Sequence, residues 1–145
     1  MKVTDLIARD GVLSARLEFA PGEPMRTSEV PGFAERALRE LPGLKGHRCD
    51  NGAGRTFADE LADTEIAHFV EHATLELMAM KGAPVTLRGE TSWDFAADGK
   101  GVFRVRVEYR DEVEVRAALA RAVAIVGTWF GGKDGPEAEA WARGT

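Results

Sequence analysis

Residues 102–109 read VFRVRVEY. Phe103, Val105, Val107 and Tyr109 alternate with Val102, Arg104, Arg106 and Glu108, the period of a strand with one dry and one wet face. Residues 12–19, VLSARLEF, repeat it: Leu13, Ala15, Leu17 and Phe19 are apolar, and Val12, Ser14, Arg16 and Glu18 face the other way. Pro21-Gly22 and Pro24 stop that strand. Strands of this kind belong to an antiparallel sheet whose apolar face needs a cover.

The helical stretches supply the cover. Over residues 31–41, Phe33, Ala37, Leu38 and Leu41 share one face, and Pro42-Gly43 ends the helix. Residues 57–80 are helical in pattern, with a break near Asp63-Thr64, either of which can N-cap the second part. Gly82 and Pro84 close it. Residues 111–129 form a third helix, rich in Ala, Val, Leu and Arg. Short extended pieces are expected at 44–49 and 85–87, and a turn at Asp50-Asn51-Gly52 and Gly54. The expectation is an α+β fold: a single domain over residues 1–130, a mostly antiparallel sheet with helices packed on one face, and a weakly held tail over 131–145.

Composition bounds the function. The 145 residues are 44% hydrophobic and 30% charged, a globular balance that excludes disorder. With 19 basic and 24 acidic residues the net charge is −5, so neither nucleic acid nor an anionic membrane is an expected partner. Cys49 is the sole cysteine, which fits a reducing compartment. The amino terminus carries no apolar signal core, and no apolar run reaches the roughly 18 residues that span a bilayer. A cytoplasmic protein is expected.

The chemistry concentrates in His68-Phe69-Val70-Glu71-His72, an H-x-x-E-H pattern, the inverted form of the zinc-peptidase helix motif. Residues four apart on a helix stand above one another, so both imidazoles can reach one ion. Glu71 borders the same face and can take a proton from a water activated by that ion. Phe69, Val70, Ala73 and Leu77 turn the opposite side of the helix towards the core. Chance supplies such a pattern on the order of a few times per thousand chains of this length, and on the motif alone a metal site and a solvated face stand level. His68 and His72 are therefore candidate zinc ligands and Glu71 the candidate general base. The third ligand stays open between His47, Cys49 and Glu76. His47 approaches from another element, and Cys49 also suits zinc. Glu76 lies roughly 12 Å along the axis from His68 and is better placed to orient His72. Arg88, Arg104 and Arg106 occupy solvated strand positions from which a carboxylate could be held.

Several segments together resemble the amino-terminal domain of cyanophycin synthetase. They are Gly43-Leu44, His47-Arg48-Cys49, His68 to Leu77 (HFVEHATLEL), Gly82-Ala83-Pro84-Val85, Gly89-Glu90-Thr91 and Gly101 to Tyr109. The resemblance extends to about residue 130. Cyanophycin is a polymer with an aspartate backbone and an arginine on each side chain. The full synthetase continues into an ATP-grasp domain and a Mur-ligase-like domain, which 145 residues cannot hold, and no G-x-x-x-x-G-K-[ST] loop is present. The resemblance implies what that first domain does alone: holding the polymer and, in some members, cutting it at a metallopeptidase-like site. On it, His68, Glu71, His72 and His47 fall on corresponding motifs. Two functions are open on these grounds. One is a zinc-dependent peptidase or amidohydrolase acting on Asp-Arg or related peptides. The other is a non-catalytic module that binds a polymer or a partner protein. A peptide groove is hard to build from one small chain, which leaves a homo-oligomer open.

Overall fold

The two amphipathic strands lie side by side. In the computed structural model, which describes residues 1–49 and 56–130, β2 (Val12–Glu18) pairs antiparallel with β4 (Val102–Glu108). The register sets Leu13 against Val107, Ala15 against Val105 and Leu17 against Phe103, so six apolar side chains share one buried face. β1 (Lys2–Arg9) flanks β2, and β3 (Gly89–Trp93) flanks β4. The sheet runs β1-β2-β4-β3, every neighbour antiparallel.

Helices cover the apolar face. α3 (Ile66–Ala79) lies over β3 and β4, the short α4 (Phe95–Asp98) falls between β3 and β4 in the chain, and α5 (Glu112–Trp129) packs along α3 and reaches β2. The Asp111 side chain accepts from the Glu114 N–H at 3.0 Å and fixes the start of α5. α1 (Phe33–Glu40) closes the end of the layer, where Phe33, Phe69 and Trp129 meet with ring centroids 4.9 to 5.5 Å apart. Phe69, Val70 and Ala73 are fully buried, as their side of the helix predicts, and Leu77 is half-buried. The α+β class and the antiparallel sheet with its helical cover stand as expected.

The departures have physical causes. Periodicity does not reveal β1, because its alternation is broken. Asp5 has φ 50° and the register shifts between Thr4 and Ile7, so the inward set is Val3, Leu6 and Ala8, out of step with a period of two. The extended piece at 44–49 is instead a 3₁₀ turn over Pro42–Gly46, followed by a single bridge from Arg48 to Thr56. Residues 85–87 form no strand: Val85 is 88% exposed, and pairing to β4 begins at Gly89, opposite Val107. The break before α3 is real, for α2 (Phe57–Glu60) is a separate turn of helix. Neither Asp63 nor Thr64 caps α3, whose N-cap position is Glu65 with no side-chain bond. The expected turn at 50–54 and the tail at 131–145 lie outside the described residues.

Candidate metal centre

All three histidines of the chain meet on the side of α3 turned away from Phe69 and Val70. His68 and His72 come from α3 itself. The segment after the Pro42–Gly46 turn brings His47 and Cys49 across them. It is held by the Arg48–Thr56 bridge and by the Phe57 N–H, which donates to the His47 carbonyl at 3.1 Å. The Phe57 ring then lies flat on His72, centroids 3.9 Å apart and planes 11° apart, and edge-on to His68. This wall removes water from one side of both imidazoles.

Cys49 Sγ stands 3.7 Å from His68 Nε2 and 3.5 Å from His72 Nε2, and the three ligand atoms lie within 4.8 Å of one another. An ion with Zn–N and Zn–S bonds of ordinary length in tetrahedral array spaces S and N about 3.6 Å apart. The two S···N distances match that edge. The far nitrogens are also accounted for. Thr64 Oγ1 is 2.9 Å from His68 Nδ1, so the Thr64 hydroxyl oxygen can accept from Nδ1–H and leave His68 Nε2 unprotonated, and it does not cap the helix end. His72 Nδ1 is 3.0 Å from His47 Nδ1, and His47 Nε2 is 3.1 Å from Glu76 Oε1. A carboxylate only accepts, so His47 donates from Nε2, accepts at Nδ1 and leaves His72 protonated at Nδ1. His72 Nε2 then presents a bare lone pair to Cys49. Gly43 makes room for this chain: a Cβ there would lie 2.0 Å from Glu76 Oε2.

Glu71 stands beside the cluster. Thr91 of β3 donates its hydroxyl to Glu71 Oε1 at 2.7 Å, and Glu71 Oε2 is 3.5 Å from His72 Nε2. Gly89 allows β3 this close, because a Cβ there would meet Glu71 Cγ at 2.6 Å. Burial pushes the Glu71 carboxyl up to about 7, with the Thr91 bond opposing and the Glu90 charge assisting. Burial pushes His72 down to about 2, helped by the two neighbouring imidazoles, and lowers His68 as well. Both are therefore neutral, the state that binds a metal. Burial and the adjoining Glu60 carboxylate raise the Cys49 thiol. Among the described residues Glu60 Oε2 is buried without a hydrogen-bond partner. A soft thiol and two neutral imidazoles, with one unpartnered oxygen of Glu60 nearby, form a donor set short of positive charge, of a kind that a zinc ion fits.

Of the residues singled out in the sequence, His68, His72 and Glu71 are brought together. Of the three candidates for the third position, Cys49 stands with the pair. His47 is one contact behind His72, and Glu76 reaches His72 through His47. Arg88 and Arg106 border the groove, whereas Arg104 is held bidentately by Asp98 at 2.7 Å on the surface. The roles of Phe57, Glu60, Thr64 and Thr91 are not legible in the sequence, since each depends on a contact between distant segments.

The cluster opens on a groove of about 1590 Å³ between α3, the 43–49 segment and β3. Residues 15–130 match the family described as the cyanophycin synthase-like N-terminal domain. The chain belongs to this family. It is 32% identical over 120 residues to cyanophycin synthetase of Trichormus variabilis, covering 82% of this chain and 13% of that protein. The cyanophycin synthetase of Crocosphaera subtropica is 30% identical over 130 residues, 85% of this chain and 14% of the relative. That of Synechocystis sp. is 31% identical over 120 residues, 82% and 13%. The chain thus matches about an eighth of the length of these relatives. No helix among the described residues is long and apolar enough to cross a membrane.

Proposed function

We propose that this domain is a zinc-dependent amide hydrolase that cuts an extended peptide, with cyanophycin or a related Asp-Arg chain as the first substrate to try. The observation that carries the reading is the meeting of Cys49 Sγ, His68 Nε2 and His72 Nε2 beside the Glu71 carboxylate on an open groove. Cys49, His68 and His72 would hold the ion, leaving a position open as catalytic sites require. Bound there, zinc supplies a Lewis acid and makes a water acidic enough to lose its proton near neutrality.

The chain's own groups do the rest. Burial raises the Glu71 carboxyl in the metal-free protein; beside a bound cation it would be held ionised, the form that takes a proton from water and returns it to a leaving amine. Thr91 and the glycine surface at position 89 fix the direction of its carboxylate. Phe57 keeps solvent from the ligand nitrogens. The substrate class rests on membership of the family and on the names of the relatives.

The test pairs zinc content with cleavage. Wild-type protein loaded with zinc and dialysed should retain one equivalent and cleave short Asp-Arg peptides or cyanophycin. Glu71→Gln should retain the zinc and lose cleavage by roughly 10²-fold or more. Polymer binding by both proteins with cleavage by neither makes this a non-catalytic binding module. Absence of zinc from the loaded wild type removes the reading.

A further inference from the structure

β3 is one of the two edge strands of the sheet, with β4 on one side and the groove along the other. The Glu108 N–H donates to the Arg88 carbonyl at 2.9 Å, which sets the phase of the ladder. Antiparallel pairs alternate between bonded and non-bonded, and the β3–β4 register has no shift. Glu90 and Ser92 therefore turn their main-chain N–H and C=O inward to β4. Gly89, Thr91 and Trp93 turn theirs outward. Among the described residues no backbone or side-chain partner meets these outward groups. The same three residues point their side-chain direction at the helical layer, where Thr91 holds Glu71 and the missing Cβ of Gly89 lets Glu71 approach.

We propose that the outward edge of β3 binds substrate by strand addition: the backbone of an extended peptide pairs with Gly89 and Thr91 and runs along the groove past Glu71. This deepens the hydrolase reading and rests on it for the bond that is cut. The edge offers donors and acceptors about 7 Å apart, the repeat of every second residue of an extended chain. Two of the residues that aim them also position the proposed base, so a paired backbone is carried next to Glu71 without further adjustment. Side chains of the bound peptide would alternate between the helical layer and solvent. Six glutamates and three arginines line the groove, so it favours a chain that bears cationic side chains.

The test places the change in the peptide, so that the fold of the protein is untouched. A hexapeptide of alternating Asp and Arg is titrated calorimetrically into full-length Glu71→Gln protein, which cannot consume it. The same peptide is then N-methylated at one position at a time. Methylation at alternate positions should weaken binding at least tenfold, and methylation at the positions between should change it less than twofold. Equal losses at every position, no losses, or no binding of the parent peptide each overturn the proposal. Cleavage by the wild type without this alternation leaves the hydrolase standing and removes strand addition. Alternation in binding without cleavage by the wild type does the reverse.

Discussion

The two sides of α3 are both largely withdrawn from solvent and chemically opposite. Phe69, Val70 and Ala73 on one side are 0% exposed; Glu71 and His72 on the other are each only 5% exposed. The first side is held by apolar transfer, worth about 25 cal/mol per Å² removed from water. The second buries groups that cost free energy unless they are paired, and Phe57, Thr64, His47 and Thr91 supply the partners. A polar helix face that is buried and partnered from four other segments is what the proposed site rests on; a solvated face would need no such cover. The comparison predicts different failures. Damage to the apolar side should unfold the domain, and damage to the polar side should leave it folded and inactive.

The largest effect is expected at Val70. Val70→Asp puts an unpaired carboxylate between the sheet and α5, at a cost on the order of 5 kcal/mol or more, comparable to a domain's whole stability of about 5–15 kcal/mol. Cooperative thermal melting should vanish. A melt unchanged from the wild type would mean that this side of α3 does not carry the core.

Much of this division was legible in the sequence. The strands at 12–19 and 102–109, the apolar side of α3 and the H-x-x-E-H face follow from periodicity alone, because period-2 and period-3.6 patterns report directly on which side is dry. β1 was hidden because its bulge at Asp5 breaks that period. The position of Cys49 was not legible, since it depends on how a 3₁₀ turn and a single bridge return the chain to α3. The glycines are an intermediate case. Gly43 and Gly89 both lie in segments that carry the family resemblance, yet only the structure shows that they make room for Glu76 and Glu71.

On the polar side the next largest effect belongs to Cys49. Cys49→Ala removes one of the three converging donors and leaves the fold, since the side chain lies at the rim of the core and not within it. The variant should melt within a few degrees of wild type and lose its zinc on dialysis. Full retention of zinc would place His47 or a carboxylate in the third position instead.

Buried ionisable groups give the chelated, metal-free protein a pH signature. Glu71 is raised from 4.5 to about 7, so its contribution is complete below pH 4.5 and is lost as pH rises through 7. The shift is worth at most about 3 kcal/mol. His72 is depressed from 6.5 to about 2. Its contribution is complete above pH 6.5 and is lost as pH falls. Between pH 4.5 and 6.5 the two slopes oppose each other, with His68 adding to that of His72. Glu71→Gln removes one slope. Urea unfolding at pH 4.5, 6 and 8 should show the variant gaining on the wild type as pH rises. Parallel curves would show that Glu71 keeps an ordinary pKa.

The smallest effect tests the longest chain of contacts. If the Glu76 carboxylate sets the tautomer of His47 and through it that of His72, Glu76→Gln breaks the sequence, because an amide can donate or accept at that place. Zinc affinity should fall by about 10- to 100-fold, the usual range for a group that orients a ligand, with Cys49, His68 and His72 untouched. Gly43→Ala reaches the same chain from the other side, since its methyl would lie 2.0 Å from Glu76 Oε2 and displace that carboxylate. It should give a loss of similar size. The nitrogen chemical shifts of His72 in the metal-free protein supply a readout that needs no ion: protonation at Nδ1 in the wild type, a mixture of tautomers in both variants. Unchanged zinc affinity and an unchanged His72 tautomer would show that Glu76 only packs beneath the Pro42–Gly46 turn.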